Sequence, residues 1–231
     1  MNPLQIVVLD RDTLVNRPFD FDFPHTLSSY GTTEAHETLA RIRGADIVIT
    51  NKVVISAQAF AENPQLKLVA VTATGVNNVD VEAAKQNGAA VCNIRAYGNE
   101  SVAEHAFMMM ITLMRNLPAY QRDVAAGLWE NSPFFCHLGA PMRDLNGKTL
   151  AIFGRGNIGK TLATYAQAFK MNVVFAEHKN AQSVRDGYVS FDEAIRSADV
   201  VSLNCPLTPQ TANMIGEAEL QQMKPGAILI N

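Results

Sequence analysis

The chain has 231 residues, enough for one large domain or two small ones, and its 48% hydrophobic and 18% charged content suits a globular protein with a buried core. A formal net charge of -3, with no cluster of Lys and Arg interleaved with aromatics, argues against nucleic acid as a partner and for small-molecule chemistry. The longest apolar run, residues 106–114, falls far short of the roughly 20 needed to span a bilayer, so no membrane segment is expected.

Residues 1–10, Met-Asn-Pro-Leu-Gln-Ile-Val-Val-Leu-Asp, lack a basic leader and break to charge at Asp10. That predicts a first strand over 5–9 rather than a signal peptide, and a cytoplasmic protein. Helical stretches follow at 33–43, 56–61 and 81–86, alternating with β-rich runs at 46–50, 67–72 and 89–92. Such repeated alternation predicts a small parallel sheet with helices on both sides, flavodoxin-like, whose ligand edge lies at the strand C-termini. Two loops fall at that edge: Asn51-Lys52-Val53, and Ala73-Thr-Gly-Val-Asn-Asn-Val-Asp80.

Residues 100–117 predict one long helix carrying Met108, Met109, Met110 and Met114, apolar nearly all round and therefore buried on most sides. Such a helix joins two lobes as a core element, or packs partly against a second subunit. The segment 127–143, with Trp129, Pro133, Phe134, Phe135 and Pro141, has a loop's composition. A domain boundary is placed just ahead of the long helix, giving 1–98 as one domain and 99–231 as a second.

The run from Lys148 through Thr-Leu-Ala-Ile-Phe to Gly154-Arg-Gly-Asn-Ile-Gly159 is an apolar strand entering GxGxxG and then a helical pattern. Gly154 permits the tight turn, Gly156 lets backbone N–H groups approach a pyrophosphate, and Gly159 lets the helix pack closely on the strand. The helix N-terminus then faces the phosphates with its partial positive charge. A second strand, 172–176, ends at Glu177, about 20 positions beyond the turn, where a ribose-binding carboxylate is expected. Weaker strand patterns follow at 187–190, 199–204 and 227–230, so the last residues fall on or just after a fifth strand. Cys92, Cys136 and Cys205 show no CxxC spacing, and the five histidines no ligand spacing, so neither a disulfide framework nor a metal is expected.

Five phrases occur in order: Ala73–Asp80, Ser101-Val-Ala-Glu-His105, Gly154–Gly159, Cys205-Pro-Leu-Thr-Pro-Gln-Thr211 and Met223-Lys-Pro-Gly-Ala-Ile-Leu-Ile-Asn231. With them the whole chain resembles the D-isomer-specific 2-hydroxyacid dehydrogenases. Val8-Leu-Asp-Arg-Asp-Thr13, Asp46-Ile-Val-Ile-Thr-Asn-Lys-Val53 and Val91-Cys-Asn93 are most similar to the glycerate dehydrogenase, or hydroxypyruvate reductase, branch. The resemblance implies two doubly wound parallel-sheet lobes, a flavodoxin-like substrate lobe and a Rossmann nucleotide lobe, the second incomplete. It implies NAD(H)-dependent interconversion of hydroxypyruvate and D-glycerate by a homodimer. Another 2-hydroxy acid of the D-lactate, glyoxylate or phosphoglycerate type, or a non-catalytic nucleotide-binding protein, stays open.

By matching positions, the resemblance puts the substrate carboxylate on backbone N–H groups of Thr74 and Gly75, with Asn51 also on the substrate side and Thr74 beside the nicotinamide. Asn157 and Ile158 meet the pyrophosphate, Glu177 takes the ribose hydroxyls, Val102 lies against the cofactor, and Cys205 with Pro206 walls the adenosine side. The family's catalytic Arg, Glu and His fall beyond Asn231, and Arg95, Arg115, Arg155, His105 and His137 match none of them, so the 231 residues are expected to be a truncated, inactive piece of such an enzyme.

Overall fold

The first apolar run becomes β1 (Leu4–Val8), and four more strands pair with it in parallel: β2 (His25–Ser29), β3 (Ile47–Thr50), β4 (Leu68–Val71) and β5 (Ala90–Asn93). Their order, β2-β1-β3-β4-β5, is the flavodoxin-like one. The computed structural model describes residues 2–14 and 18–231, and these strands belong to the first of two units, Met1–Tyr97.

Side chains alternate across this sheet with the strand period of two. Val7, Leu9, Val48 and Val69 face one core, which they share with Ile42 at the end of α1 (Thr38–Arg41), Phe60 of α2 (Ala57–Ala61) and Ala84 of α3 (Val81–Gln86). Ile6, Val8 and Ile49 face the other way, under Leu14, Phe19, Phe21 and Phe23. The helices therefore share one face, and a run of aromatic rings in contact takes the place expected for helices on the other. Strand β2 was not predicted, because His-Thr-Leu-Ser-Ser is polar and almost wholly exposed, an edge strand formed by pairing with β1 rather than by burial. The helix expected at 33–43 contracts to the single turn of α1, since Thr33 turns its hydroxyl onto the Leu9 carbonyl instead of continuing a helix.

In the second unit, Gly98–Asn231, the parallel strands β6 (Thr149–Phe153), β7 (Asn172–Ala176), β8 (Val200–Leu203) and β9 (Ile228–Ile230) stand in the order β7-β6-β8-β9. The strand pattern at 187–190 yields a single bridge, Val189 to Ala176, on the outer side of β7. Counted with that bridge the order is that of a Rossmann sheet, with β9 fifth in chain order. Helices cover both faces: α4 (Asn99–Met114) and α6 (Asn157–Ala168) pack on Leu150 and Ile152, while α7 (Phe191–Ser197) packs on Ala151 and Phe153. A short α8 (Glu217–Gln222) precedes β9.

The long helix predicted over 100–117 is two helices. Asn116 adopts a left-handed conformation, φ 50°, and α5 (Leu117–Ala125) starts anew with Pro118 in its first turn. Asparagine tolerates that conformation, and proline suits a helix start and not an interior. Nor is α4 buried on most sides. Ala103, Ala106, Met110 and Met114 form its inner stripe, while Met108 and Leu113 are 51% and 47% exposed. Among the described residues no helix is long and apolar enough to cross a membrane.

Candidate functional site

The glycine turn is built as its spacing requires. Gly154 has φ +108°, and a Cβ there would stand 2.7 Å from the Asn204 carbonyl and the Cys205 nitrogen, so both conformation and space demand glycine. A Cβ on Gly159 would strike the Gly154 carbonyl oxygen, which is how α6 comes close against the turn. At Gly156 nothing lies within 4 Å of the Cβ position, leaving the approach to the α6 N-terminus open. Gly156 is also the N-cap and supplies no side-chain cap, so the N–H groups of Asn157 and Ile158 emerge at a helix end with partial positive charge and no capping partner. These features fit a dinucleotide's pyrophosphate.

Beside the turn lies a cavity of about 580 Å³ that brings Gly154, Glu177, Cys205 and Pro206 together, with Arg155, His178, Lys179, Arg185 and Tyr188 added to its lining. The loop from Cys205 holds its own shape: the Thr211 hydroxyl donates to the Pro206 carbonyl at 2.6 Å and accepts the Thr208 N–H at 2.8 Å. Burial pushes the Cys205 thiol above the ordinary cysteine range, which leaves it protonated and a wall rather than a nucleophile. Val102, near the start of α4, lines a separate cavity of about 350 Å³ with Ser101, His105 and Asn204.

Glu177 closes β7, and its carboxylate is already occupied. Arg185 grips it with Nε on Oε2 and Nη2 on Oε1, both at 2.7 Å, and the backbone N–H groups of His178 and Arg185 donate at 2.8 and 3.2 Å. The Arg185 fork, helped by the His178 N–H, pulls the Glu177 carboxyl down to about 2. Arg185 also lies over the Tyr188 ring at 4.2 Å. Arg155, between the first two glycines, sits 4.8 Å over Phe175 and 5.3 Å over Tyr188 and packs against Gly187, where a Cβ would stand 2.9 Å from its Nη1.

In the first unit the two loops predicted at the sheet's C-terminal edge are tied together. Ile55 bridges to Val79, and the Asn78 side-chain amide donates to the Val53 carbonyl at 3.0 Å. Asp10, buried at the end of β1, organises the Asn51 loop: its carboxylate accepts N–H bonds from Asn51 at 2.9 Å and Lys52 at 2.6 Å. Asn93, ending β5, donates its amide to the Thr74 carbonyl at 2.6 Å. Thr74 and Gly75 are themselves exposed, and among the described residues neither backbone N–H has a protein partner. Two unpaired donors on a loop held from behind are what a carboxylate needs. From the sequence, Asp10, Asn93 and Arg185 carry no assigned role, and Arg155 is set aside as matching no catalytic position. A polar residue directly after an apolar strand was the available signal for the first two.

A family model described as "D-isomer specific 2-hydroxyacid dehydrogenase, NAD binding domain" matches residues 107–231. A glycerate dehydrogenase of Methylorubrum extorquens is 40% identical over 98% of this chain and 71% of its own length. A hydroxypyruvate reductase of Blautia hydrogenotrophica is 35% identical over 99% of this chain and 74% of its own. Among solved structures, the D-lactate dehydrogenase of Aquifex aeolicus, complexed with NAD and lactic acid, superposes with a TM-score of 0.77 at 26% identity, covering 98% of this chain and 68% of that one.

Proposed function

The chain belongs to the D-isomer specific 2-hydroxyacid dehydrogenase family, and on that premise we propose that it interconverts hydroxypyruvate and D-glycerate with NAD(H). The observation that carries the substrate side is the loop whose exposed Thr74 and Gly75 have backbone N–H groups with no partner among the described residues, while Asn93 and Asn78 hold it from behind. NAD(H) supplies or accepts the hydride when bound. The residues of this chain do the rest of the binding: Asn157 and Ile158 take the pyrophosphate, Cys205 and Pro206 wall the adenosine, and Thr74 with Gly75 takes the substrate carboxylate. The choice of hydroxypyruvate rests on the names of the two relatives.

The reading is tested by kcat/KM for hydroxypyruvate, glyoxylate, pyruvate and phosphohydroxypyruvate with NADH. Hydroxypyruvate should lead, and a clear lead for any other acid would overturn the substrate assignment. Turnover is expected where the family's arginine, glutamate and histidine are carried on the polypeptide, and cofactor binding where they are not.

We propose further that the protein works as a homodimer. Supporting this, α4 and α5 leave Met108, Leu113, Leu117 and Val124 exposed, and the loop that follows carries Phe134 and Phe135, 73% and 99% exposed. Exposed apolar side chains in this number support an interface.

A further inference from the structure

Resting on the reading of the 580 Å³ cavity as the adenosine end of a dinucleotide site, we propose that Arg185 makes this site tolerant of a 2′-phosphate, so that the protein binds NADP(H) as well as NAD(H).

A carboxylate at the end of the second strand discriminates in two ways: it accepts hydrogen bonds from the ribose diol, and it repels a phosphate in the same place. Both depend on free oxygens and a net negative charge. Glu177 has neither. A carboxylate offers about four acceptor positions. All are taken here, two on Oε1 by His178 N and Arg185 Nη2, and two on Oε2 by Arg185 N and Arg185 Nε. At 3% side-chain exposure Glu177 presents almost no surface, whereas Arg185 is 54% exposed and holds the outer position. The pair is neutral, and what it shows to the cavity is guanidinium.

Apart from Glu177, the charged side chains that line the cavity are basic. Lys179 is spent on Glu219 at 2.8 Å. Arg155 has no carboxylate or other hydrogen-bond partner among the described residues; aromatic rings hold it in place while its N–H donors stay unused. Both guanidiniums lie against the Tyr188 ring, at 5.3 and 4.2 Å, and both residues line the cavity. A planar guanidinium binds phosphate oxygens two at a time, and a second cation beside it adds to that preference. Gly187, with φ +74°, leaves the room that Arg155 uses.

The test is equilibrium binding by calorimetry, with no turnover needed. NADH and NADPH are titrated into the protein, and 5′-ADP and 2′,5′-ADP are used to isolate the adenosine end. NADPH should bind within about tenfold of NADH, and 2′,5′-ADP at least as tightly as 5′-ADP. Arg185→Met should raise the NADPH/NADH ratio of Kd values about ten- to a hundredfold, because the Glu177 charge is then uncompensated and one acceptor position on each of its oxygens is freed. Arg155→Met, on an exposed side chain, should move the ratio in the same direction and stands in if the first variant does not fold. Intact NADH binding with NADPH more than tenfold weaker overturns the proposal, as does an unchanged ratio in the variants. Failure of all four ligands to bind would instead overturn the reading of the cavity.

Discussion

Glu177 and Arg185 show how one residue's role depends on another eight positions away. The strand-end position and spacing of Glu177 were legible in the sequence; its partner was not, because Arg185 lies in an irregular loop where no periodicity marks which side chain turns inward. The pair has a consequence in pH. Held at about 2 against an ordinary 4.5, the Glu177 carboxyl contributes stability that is complete above pH 4.5 and is lost as the pH falls toward 2. Hydrogen exchange across residues 177–189 should therefore keep its protection at pH 5 and lose it progressively below 4.5, with Arg185→Met already unprotected at pH 5. Equal protection in both proteins at pH 5 would show that the ion pair does not order the loop.

Elements with strong periodicity were read correctly, and those made by partners were not. Strands β1, β3, β4 and β6 are apolar enough to announce themselves, whereas β2 needs β1 beside it to be a strand at all. The glycine turn was legible for a similar reason, since its glycines answer local steric demands that any chain would face there. Helices α4 and α5 mark the other limit. Apolar residues all round a helix indicate that it is covered, but not by what; here the inner stripe meets α6 and the sheet, while Met108 and Leu113 on the outer side stay about half exposed. If a second copy covers that surface, Leu117→Glu combined with Val124→Glu should turn a dimer into a monomer in sedimentation equilibrium, with NADH affinity retained. A monomeric wild-type protein at micromolar concentration would remove the dimer from the account.

At the scale of the whole chain, each unit contributes a different kind of recognition. The first presents, at Thr74 and Gly75, two adjacent backbone donors with no partner among the described residues, suited to a small carboxylate; the second presents a helix end with no side-chain cap and a walled cavity, suited to a dinucleotide. The central claim is that these two belong to one reaction, which makes the separability of the two binding events the decisive point. A Cβ at Gly75 already stands 3.0 Å from Asn77 Oδ1, and the branched methyls of valine would extend into the space beside the loop's free donors. Calorimetric titration of NADH, followed by hydroxypyruvate into the NADH-saturated protein, should show both binding to the wild type. In Gly75→Val the NADH affinity should stay within about twofold while hydroxypyruvate binding weakens about ten- to a hundredfold, the loss expected for hydrogen bonds to a charged group. Hydroxypyruvate binding unchanged by the valine, or lost together with NADH binding, would contradict the assignment of substrate to the Thr74–Gly75 loop and cofactor to the glycine turn.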